Sequence, residues 1–339
     1  MIRSYARLAS LLALLSALSP ATPATARDWH AFPPLTSIEI ETSETTRSTF
    51  VRARTAPDSS GQALRVAFLE KTGAWERPAL VPVNEPGRRL DQVLVFAGGL
   101  FDQFAGQTTI DLGSGFTLAR RDTGYALLEN DVDRGWPAVT EDDVDRWGGE
   151  VRLGLPREFP EDRLHQLLAL GRLQNVPGPA VVTENGVWFG LAGGFSGGDG
   201  QFGGLVVYDR RDRTFHVLRH KYMVDAAVTR LLIVGDDVWM GTGRFGPVSI
   251  DGLRGVVLFR PNKREWRQFA PDNSRISGDL VFDLATDGRM LWATTNQGVS
   301  RYDRMRRLWT SWYWHPAKDG KGFELTDVLP TDVAEEFIK

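Results

Sequence analysis

Three fifteen-residue stretches in the second half of the chain align with one another without a gap. They are GLVVYDRRDRTFHVL at 204–218, GVVLFRPNKREWRQF at 255–269 and GVSRYDRMRRLWTSW at 298–312. Each copy starts with glycine, has an aromatic residue four positions later and arginine nine positions later, and ends with further aromatic or apolar side chains. Agreement at so many positions indicates an internal structural repeat.

A second shared element lies upstream of each glycine. Each copy has a tryptophan just after a turn sequence, at Trp188, Trp239 and Trp292, and these residues are 51 and 53 positions apart. The turn sequences are Asn185-Gly186, Asp236-Asp237 and Asp287-Gly288. Each unit of about fifty residues therefore predicts four short antiparallel strands, the pattern of a β-propeller blade. One blade cannot bury both faces of its sheet, so its neighbours must stack on it.

The repeat resembles the two-component-regulator type of propeller repeat. The best match runs from Val281 to Asp303, through Asp287, Gly288, Leu291, Trp292, Gly298 and Tyr302. It departs from the family pattern where Ala293-Thr294-Thr295 stands in place of a glycine before threonine. The resemblance covers residues 180–314. It implies a propeller, and in that family such repeats commonly form the extracytoplasmic sensor of a larger signalling protein.

We therefore expect an all-β fold, a β-propeller of about six four-stranded blades, with five or seven also compatible with the length. Residues 27–175 are predicted to form divergent N-terminal blades with an inserted segment, and residues 176–339 regular blades and a C-terminal tail. A short inserted helix is expected at 160–171 and a C-terminal helix at 331–339. Residues 27–175 could complete the ring or form a separate cap.

Residues 1–26 have the features of a secretory signal peptide. Arg3 and Arg7 precede an apolar stretch at 8–18, and Ala24-Thr25-Ala26 forms an A-x-A cleavage sequence. The apolar stretch is shorter than the roughly 20 residues that span a bilayer. We expect a periplasmic or secreted protein with no transmembrane segment in the mature chain.

Charge and composition exclude several kinds of site. The net charge of -3 gives no polybasic argument for nucleic-acid binding. The chain has no cysteine, which excludes disulfides, cysteine nucleophiles and thiolate metal sites.

Two adjacent repeats have long loops between the second and third strands. Trp188 and Gly204 are 16 residues apart, as are Trp239 and Gly255, whereas Trp292 and Gly298 are only 6 apart. The rim segments, as we call residues 191–203 and 242–254, should lie side by side at one rim of the propeller. Their mixture of aromatic and charged side chains suits recognition. The candidate ligand- or partner-binding residues are Phe195, Asp199, Phe202, Arg244, Phe245, Asp251 and Arg254. Drift in loop length without any function is the alternative interpretation.

Three other sequence features give weaker evidence for a functional site. Ser196 lies in a G-x-S-x-G match, but a nucleophile elbow needs a strand-to-helix turn that this glycine-rich loop lacks. His216 and His220 would be about 13 Å apart on a strand, too far for one metal ion. The acidic stretch 129–145 lacks EF-hand spacing, although its oxygen ligands would suit Ca²⁺; a solvated loop is the alternative. We predict no cofactor, no metal site and no catalytic residue.

The sequence thus predicts a non-catalytic exported propeller that binds an envelope or extracellular protein, or a small ligand, through its rim loops, as a sensor or a scaffold. One alternative is a lyase or hydrolase with its site in the central channel, since propellers host many chemistries. Another is carbohydrate binding by exposed rings at Tyr313 and Trp314. In the run 301–314, basic residues alternate with aromatic ones, but Tyr302, Trp309 and Trp312 fall in repeat columns expected to pack blade on blade.

Overall fold

The structure is a computed structural model that describes residues 35–43, 48–55, 60–70, 72–82, 107–122, 124–145, 174–191, 203–223, 226–243, 255–318 and 323–329. These residues form five antiparallel sheets, which we call blades 1 to 5 in chain order. Blade 1 contains β1 (Leu35–Ser43), β2 (Ser48–Thr55), β3 (Gln62–Leu69), β4 (Ala74–Trp75) and β5 (Ala79–Pro82). Blade 2 contains β6 (Thr109–Gly113), β7 (Phe116–Arg121), β8 (Gly124–Glu129) and β9 (Val132–Asp133).

The remaining three blades correspond to the three aligned repeats. Blade 3 contains β10 (Pro177–Thr183), β11 (Gly186–Leu191), β12 (Leu205–Asp209) and β13 (Thr214–Leu218). Blade 4 contains β14 (Ala227–Val234), β15 (Asp237–Gly243), β16 (Val256–Arg260) and β17 (Glu265–Phe269). Blade 5 contains β18 (Val281–Thr286), β19 (Met290–Thr295), β20 (Gly298–Asp303), β21 (Leu308–Pro316) and β22 (Phe323–Thr326). The four consecutive antiparallel strands predicted for each repeat are confirmed, and blade 5 has β22 as a fifth strand.

The glycine that starts each repeat is required by its backbone. Gly204, Gly255 and Gly298 have φ values of 154°, 131° and 156°, which L side chains rarely adopt. A Cβ atom at Gly298 would lie 2.0 Å from the carbonyl oxygen of Trp312 on the next strand. The arginine nine positions later has a left-handed backbone in every copy, with φ of 58° at Arg213, 50° at Arg264 and 57° at Arg307.

Aromatic and aliphatic side chains between the sheets fix the order of the blades. Four buried clusters join blade 2 to blade 3, blade 3 to blade 4, blade 4 to blade 5, and blade 5 to blade 1. The first strands of these blades, β6, β10, β14, β18 and β1, contact one another in the same order. The fold is therefore an all-β propeller in which the first blade of the chain packs on the last.

The contact between blades 5 and 1 contains a dense aromatic group. The ring of Phe68 lies 5.1 Å from Trp292, 5.0 Å from Trp312 and 5.4 Å from Trp75, measured between centroids. The guanidinium of Arg301 lies 5.5 Å from the ring centres of both Trp292 and Trp312, within the range of cation–π attraction.

The innermost strands share an irregularity that the sequence did not reveal. In blades 1, 3, 4 and 5 the pairing of the first strand shifts register near its start, as at Val228/Arg230 and Val281/Asp283. Such bulges bend a strand and increase its twist. Next to these bulges, Asp283 forms an ion pair of 2.9 Å with Arg230 of blade 4 and accepts a hydrogen bond of 3.0 Å from the amide of Ile38 in blade 1. One buried carboxylate thereby links three blades.

Some predictions fall on residues outside those described. These are the signal peptide at 1–26, the inserted helix at 160–171 and the C-terminal helix at 331–339. Within the described residues there are five blades, inside the expected range of five to seven. No helix among them is both long enough and apolar enough to cross a membrane.

Candidate functional site

The two rim segments are described only at their ends. All seven candidate binding residues, Phe195, Asp199, Phe202, Arg244, Phe245, Asp251 and Arg254, lie outside the described residues, as does Ser196. The residues at which the chain enters and leaves each segment are described. We call each such pair a neck: Leu191 with Gly204 in blade 3, and Thr242 with Gly255 in blade 4. The necks fix where each segment begins and ends.

Both necks are closed by hydrogen bonds between the second and third strands. In blade 3 the amide of Leu191 donates to the carbonyl of Gly204 over 2.9 Å. In blade 4 the amide of Thr242 donates to the carbonyl of Gly255 over 2.9 Å, and the Thr242 hydroxyl donates to the same carbonyl, also over 2.9 Å. The rim segments therefore leave the sheets at equivalent positions.

The second strand of each of these blades lies tightly against the first strand of the next blade. A Cβ atom at Gly190 would lie 2.4 Å from Val228 of blade 4, and one at Gly241 would lie 2.8 Å from Val281 of blade 5. These close approaches are near the necks, because Gly190 and Gly241 directly precede Leu191 and Thr242. The two necks thus stand on consecutive blades at the same end of the propeller.

The first neck is also held by a partly buried arginine. Arg219 donates to the carbonyl of Gly203 over 3.1 Å and to the side chain of Asn175. Burial lowers the pKa of the Arg219 guanidinium to about 10, with the charge of Asp143 opposing that shift. The amide of Gly203 donates to the carbonyl of Met223 over 3.1 Å. The base of this rim segment is consequently fixed on both sides.

At the same end of the propeller, blade 5 has a short turn where blades 3 and 4 have rim segments. Its second and third strands are joined by the short turn at Asn296 and Gln297, and the chain arriving from blade 4 is bonded to them. The amide of Ser277 donates to the Ser300 hydroxyl over 2.7 Å, and the hydroxyls of Ser277 and Thr295 lie 2.9 Å apart. This end of blade 5 is occupied by structural hydrogen bonds.

The carbohydrate-platform hypothesis is wrong. Tyr313 is 5% exposed and Trp314 is 1% exposed, so neither ring offers a surface to a sugar. Trp314 packs in the core between blades 5 and 1, near Leu325. Tyr302, Trp309 and Trp312 are buried in blade contacts, as their repeat columns predict.

Two acids of the stretch 129–145 and one histidine make defined contacts in the structure. Glu129 is buried and paired with arginines, and Asp143 accepts a hydrogen bond of 3.0 Å from the amide of Thr140. His220 stacks on Trp266 with ring centroids 5.0 Å apart, and burial, followed by the charge of Lys221, lowers its pKa. Within the described part of the chain, no three acidic or histidine side chains are grouped as metal ligands.

Sequence reasoning missed a pair of arginines that connect blades. Arg210 and Arg304 both lie six positions after the repeat glycine. Arg210 donates to Glu129 of blade 2 over 3.1 Å, and Arg304 donates to Asp237 of blade 4 over 3.1 Å. The shared column was visible in the alignment, but the acid partners lie on the preceding blade, where the repeat gives no signal for them.

No family model matches the chain, and no curated protein matches it. Its fold is similar to that of the extracellular domain of a putative one-component system from B. thetaiotaomicron, at 12% identity and a TM-score of 0.35, covering 61% of this chain and 22% of that one. It is also similar to the β-propeller domain of the Trilobed protease from Pyrococcus furiosus, at 8% identity and a TM-score of 0.26, covering 86% of this chain and 84% of that one. The chain spans about a fifth of the length of the first two similar structures.

Proposed function

We propose that this chain is a non-catalytic, exported β-propeller of the two-component-regulator repeat type, and that its rim segments 191–203 and 242–254 bind an envelope or extracellular protein or a small ligand. In this role it acts as a sensor or a scaffold. The binding residues in this proposal are Phe195, Asp199, Phe202, Arg244, Phe245, Asp251 and Arg254. Export rests on the signal-peptide features of residues 1–26.

The observation that carries the proposal is the pair of closed necks on adjacent blades. Leu191–Gly204 and Thr242–Gly255 are held by hydrogen bonds at one end of the propeller, on sheets that pack against each other. A rigid scaffold that presents two long neighbouring loops is a common arrangement for recognition, because the scaffold positions the loops and the loops vary in sequence. The combined surface of two loops also exceeds what either loop would offer alone.

The test is affinity capture from an envelope extract with immobilised protein of residues 27–339. A first variant has ten residues removed from each rim segment, between the necks. A matched control keeps both segments and carries Arg306→Gln at the opposite end of blade 5, where Arg306 is exposed. Retained proteins and small molecules are identified by mass spectrometry, and far-UV circular dichroism and thermal unfolding show that each variant is folded.

The proposal predicts a ligand that is retained by the wild type and by the Arg306→Gln control, is displaced by free protein, and is lost by the folded shortened variant. Retention of the same ligand by the shortened variant would assign binding to another surface. The absence of any displaceable ligand for the wild type would contradict a binding role.

A further inference from the structure

A cavity of about 460 Å³ lies between blades 4 and 5. Asp237, Trp239 and Arg260 of blade 4 line it, together with Arg289, Tyr302 and Arg304 of blade 5. These residues lie in or beside the turns that join first to second and third to fourth strands. Because the strands are antiparallel, those turns lie at the end of the propeller opposite the rim segments.

The equivalent junction between blades 2 and 3 shows how an anion is held at such a place. The carboxylate of Glu129 accepts hydrogen bonds from the Tyr208 hydroxyl over 2.9 Å, from Arg210 over 3.1 Å and from Arg134 over 3.1 Å. Burial opposes the ionised form of Glu129, but Tyr208 and the two arginines outweigh it and keep its pKa below the ordinary value. A tyrosine and two arginines at a blade junction therefore stabilise a buried carboxylate.

The junction between blades 4 and 5 repeats two of these donors, and its carboxylate is Asp237, which lies in a different column from Glu129. Tyr302 and Arg304 occupy the repeat columns of Tyr208 and Arg210. Gly124, whose φ is 138°, starts the third strand of blade 2 as Gly255 precedes the third strand of blade 4. Glu129 lies five positions after Gly124, and the residue five positions after Gly255 is Arg260. A positive charge therefore stands where the other junction has a negative one.

Nearby acids pair closely with Arg260 and Arg304 and only loosely with Arg289. Asp237 lies between Arg260 and Arg304, with a nitrogen–oxygen distance of 3.1 Å to each. Arg260 also forms an ion pair with Glu265, with a nitrogen–oxygen distance of 3.0 Å. The side chain of Arg289 is 63% exposed, and its ion pair with Asp303 has a nitrogen–oxygen distance of 3.7 Å, longer than a hydrogen bond. Three guanidinium groups line the cavity against one carboxylate, and Arg289 keeps donors for a ligand.

The remaining walls are aromatic and apolar. The rings of Trp239 and Tyr302 lie 5.4 Å apart, both nearly fully buried, and the side chain of Met305, which also lines the cavity, is 81% exposed. The indole N–H of Trp239 is buried and has no acceptor among the described residues, which is costly for a hydrogen-bond donor. Pockets of this size with an apolar wall and a few convergent charged groups suit small organic ligands.

We propose that this blade 4–5 cavity binds a small organic anion, with a carboxylate or phosphate group held by Arg289 and with an apolar body against Met305. The site is independent of the rim segments, so either can fail without the other.

The test is isothermal titration of the full mature protein with phenyl phosphate and benzoate, and with phenol as the neutral analogue. The decisive variant is Arg289→Gln. Its matched control is Arg306→Gln, because Arg306 lies in the same region, is 77% exposed in its side chain and pairs with the same Asp303 at 3.9 Å, but does not line the cavity.

We expect at least one anion to bind, phenol to bind more weakly, Arg289→Gln to weaken binding about tenfold, and Arg306→Gln to change it less than about twofold. The proposal is overturned if neither anion binds at millimolar concentration. It is equally overturned if the two arginine variants have equal effects, because that result would indicate general attraction to positive charge.

Discussion

Replacement of Phe68 by alanine should strongly destabilise the protein, because this side chain connects the first blade to the last. Phe68 is 1% exposed and lies within 5.4 Å of three tryptophan rings, two of which belong to blade 5. Phenylalanine-to-alanine changes in protein cores cost about 3–5 kcal/mol, and the loss of several aromatic pairs places Phe68→Ala toward the upper end. The expected loss in the free energy of unfolding is about 4 kcal/mol.

The assay is urea unfolding of the mature protein followed by far-UV circular dichroism. The matched control is Phe323→Ala, since Phe323 is half-buried and its ring lies 6.4 Å from that of Trp314. This control should lose about 1 kcal/mol. A loss of less than about 1 kcal/mol for Phe68→Ala, or equal losses for both variants, would refute the contact between blades 5 and 1.

Three further predictions concern pH and backbone conformation. Because the pKa of Glu129 is lowered in the folded state, its contribution to stability is present above about pH 4.5 and is lost as the pH falls further; Glu129→Gln should lower stability at pH 7 and flatten the acid limb of a stability–pH curve. Because the pKa of His220 is lowered, protonation disfavours the folded state, so stability should decline as the pH falls below about 6.5, and His220→Gln should remove that part of the slope in thermal melts. Gly298→Ala should cost roughly 2 kcal/mol or more in urea unfolding, because of its φ of 156° and a clash with Trp312, whereas Gly288→Ala, with open space around its Cβ position, should cost less.

The repeat predicted blades 3 to 5 because the residues that form their turns, strands and packing lie close together in the sequence. Gly298 is needed by the backbone, Trp292 by packing and Asp287-Gly288 by a turn, and these features recur at fixed spacing. Blade 1 lacks that pattern, and its place beside blade 5 depends on contacts such as that between Ile38 and Asp283, 245 positions apart. Contacts at that separation leave no periodic trace in one sequence.

The two candidate sites, the rim segments and the blade 4–5 cavity, also differ in how much of them the sequence predicts. Loop lengths alone predicted the rim segments, since spacing between repeat columns is a local property. The blade 4–5 cavity becomes recognisable only when Glu129 and Arg260 are placed in the same column, and the irregular first half of the chain hid that match. Burial of Tyr313 and Trp314 was equally invisible, because aromatic residues suit both a core and an exposed platform.

The measurement that tests the packing of blade 1 on blade 5 most directly is the distance between spin labels on Glu41→Cys and Arg289→Cys, which is simple to make because the chain has no cysteine. The strand β1 contacts both β18 and β19, so Glu41 near the end of β1 and Arg289 in the turn between β18 and β19 belong to adjoining blades. The contact between blades 1 and 5 predicts one narrow distribution at short distance. A broad or long distribution in a protein with native circular dichroism would show that blade 1 does not pack on blade 5.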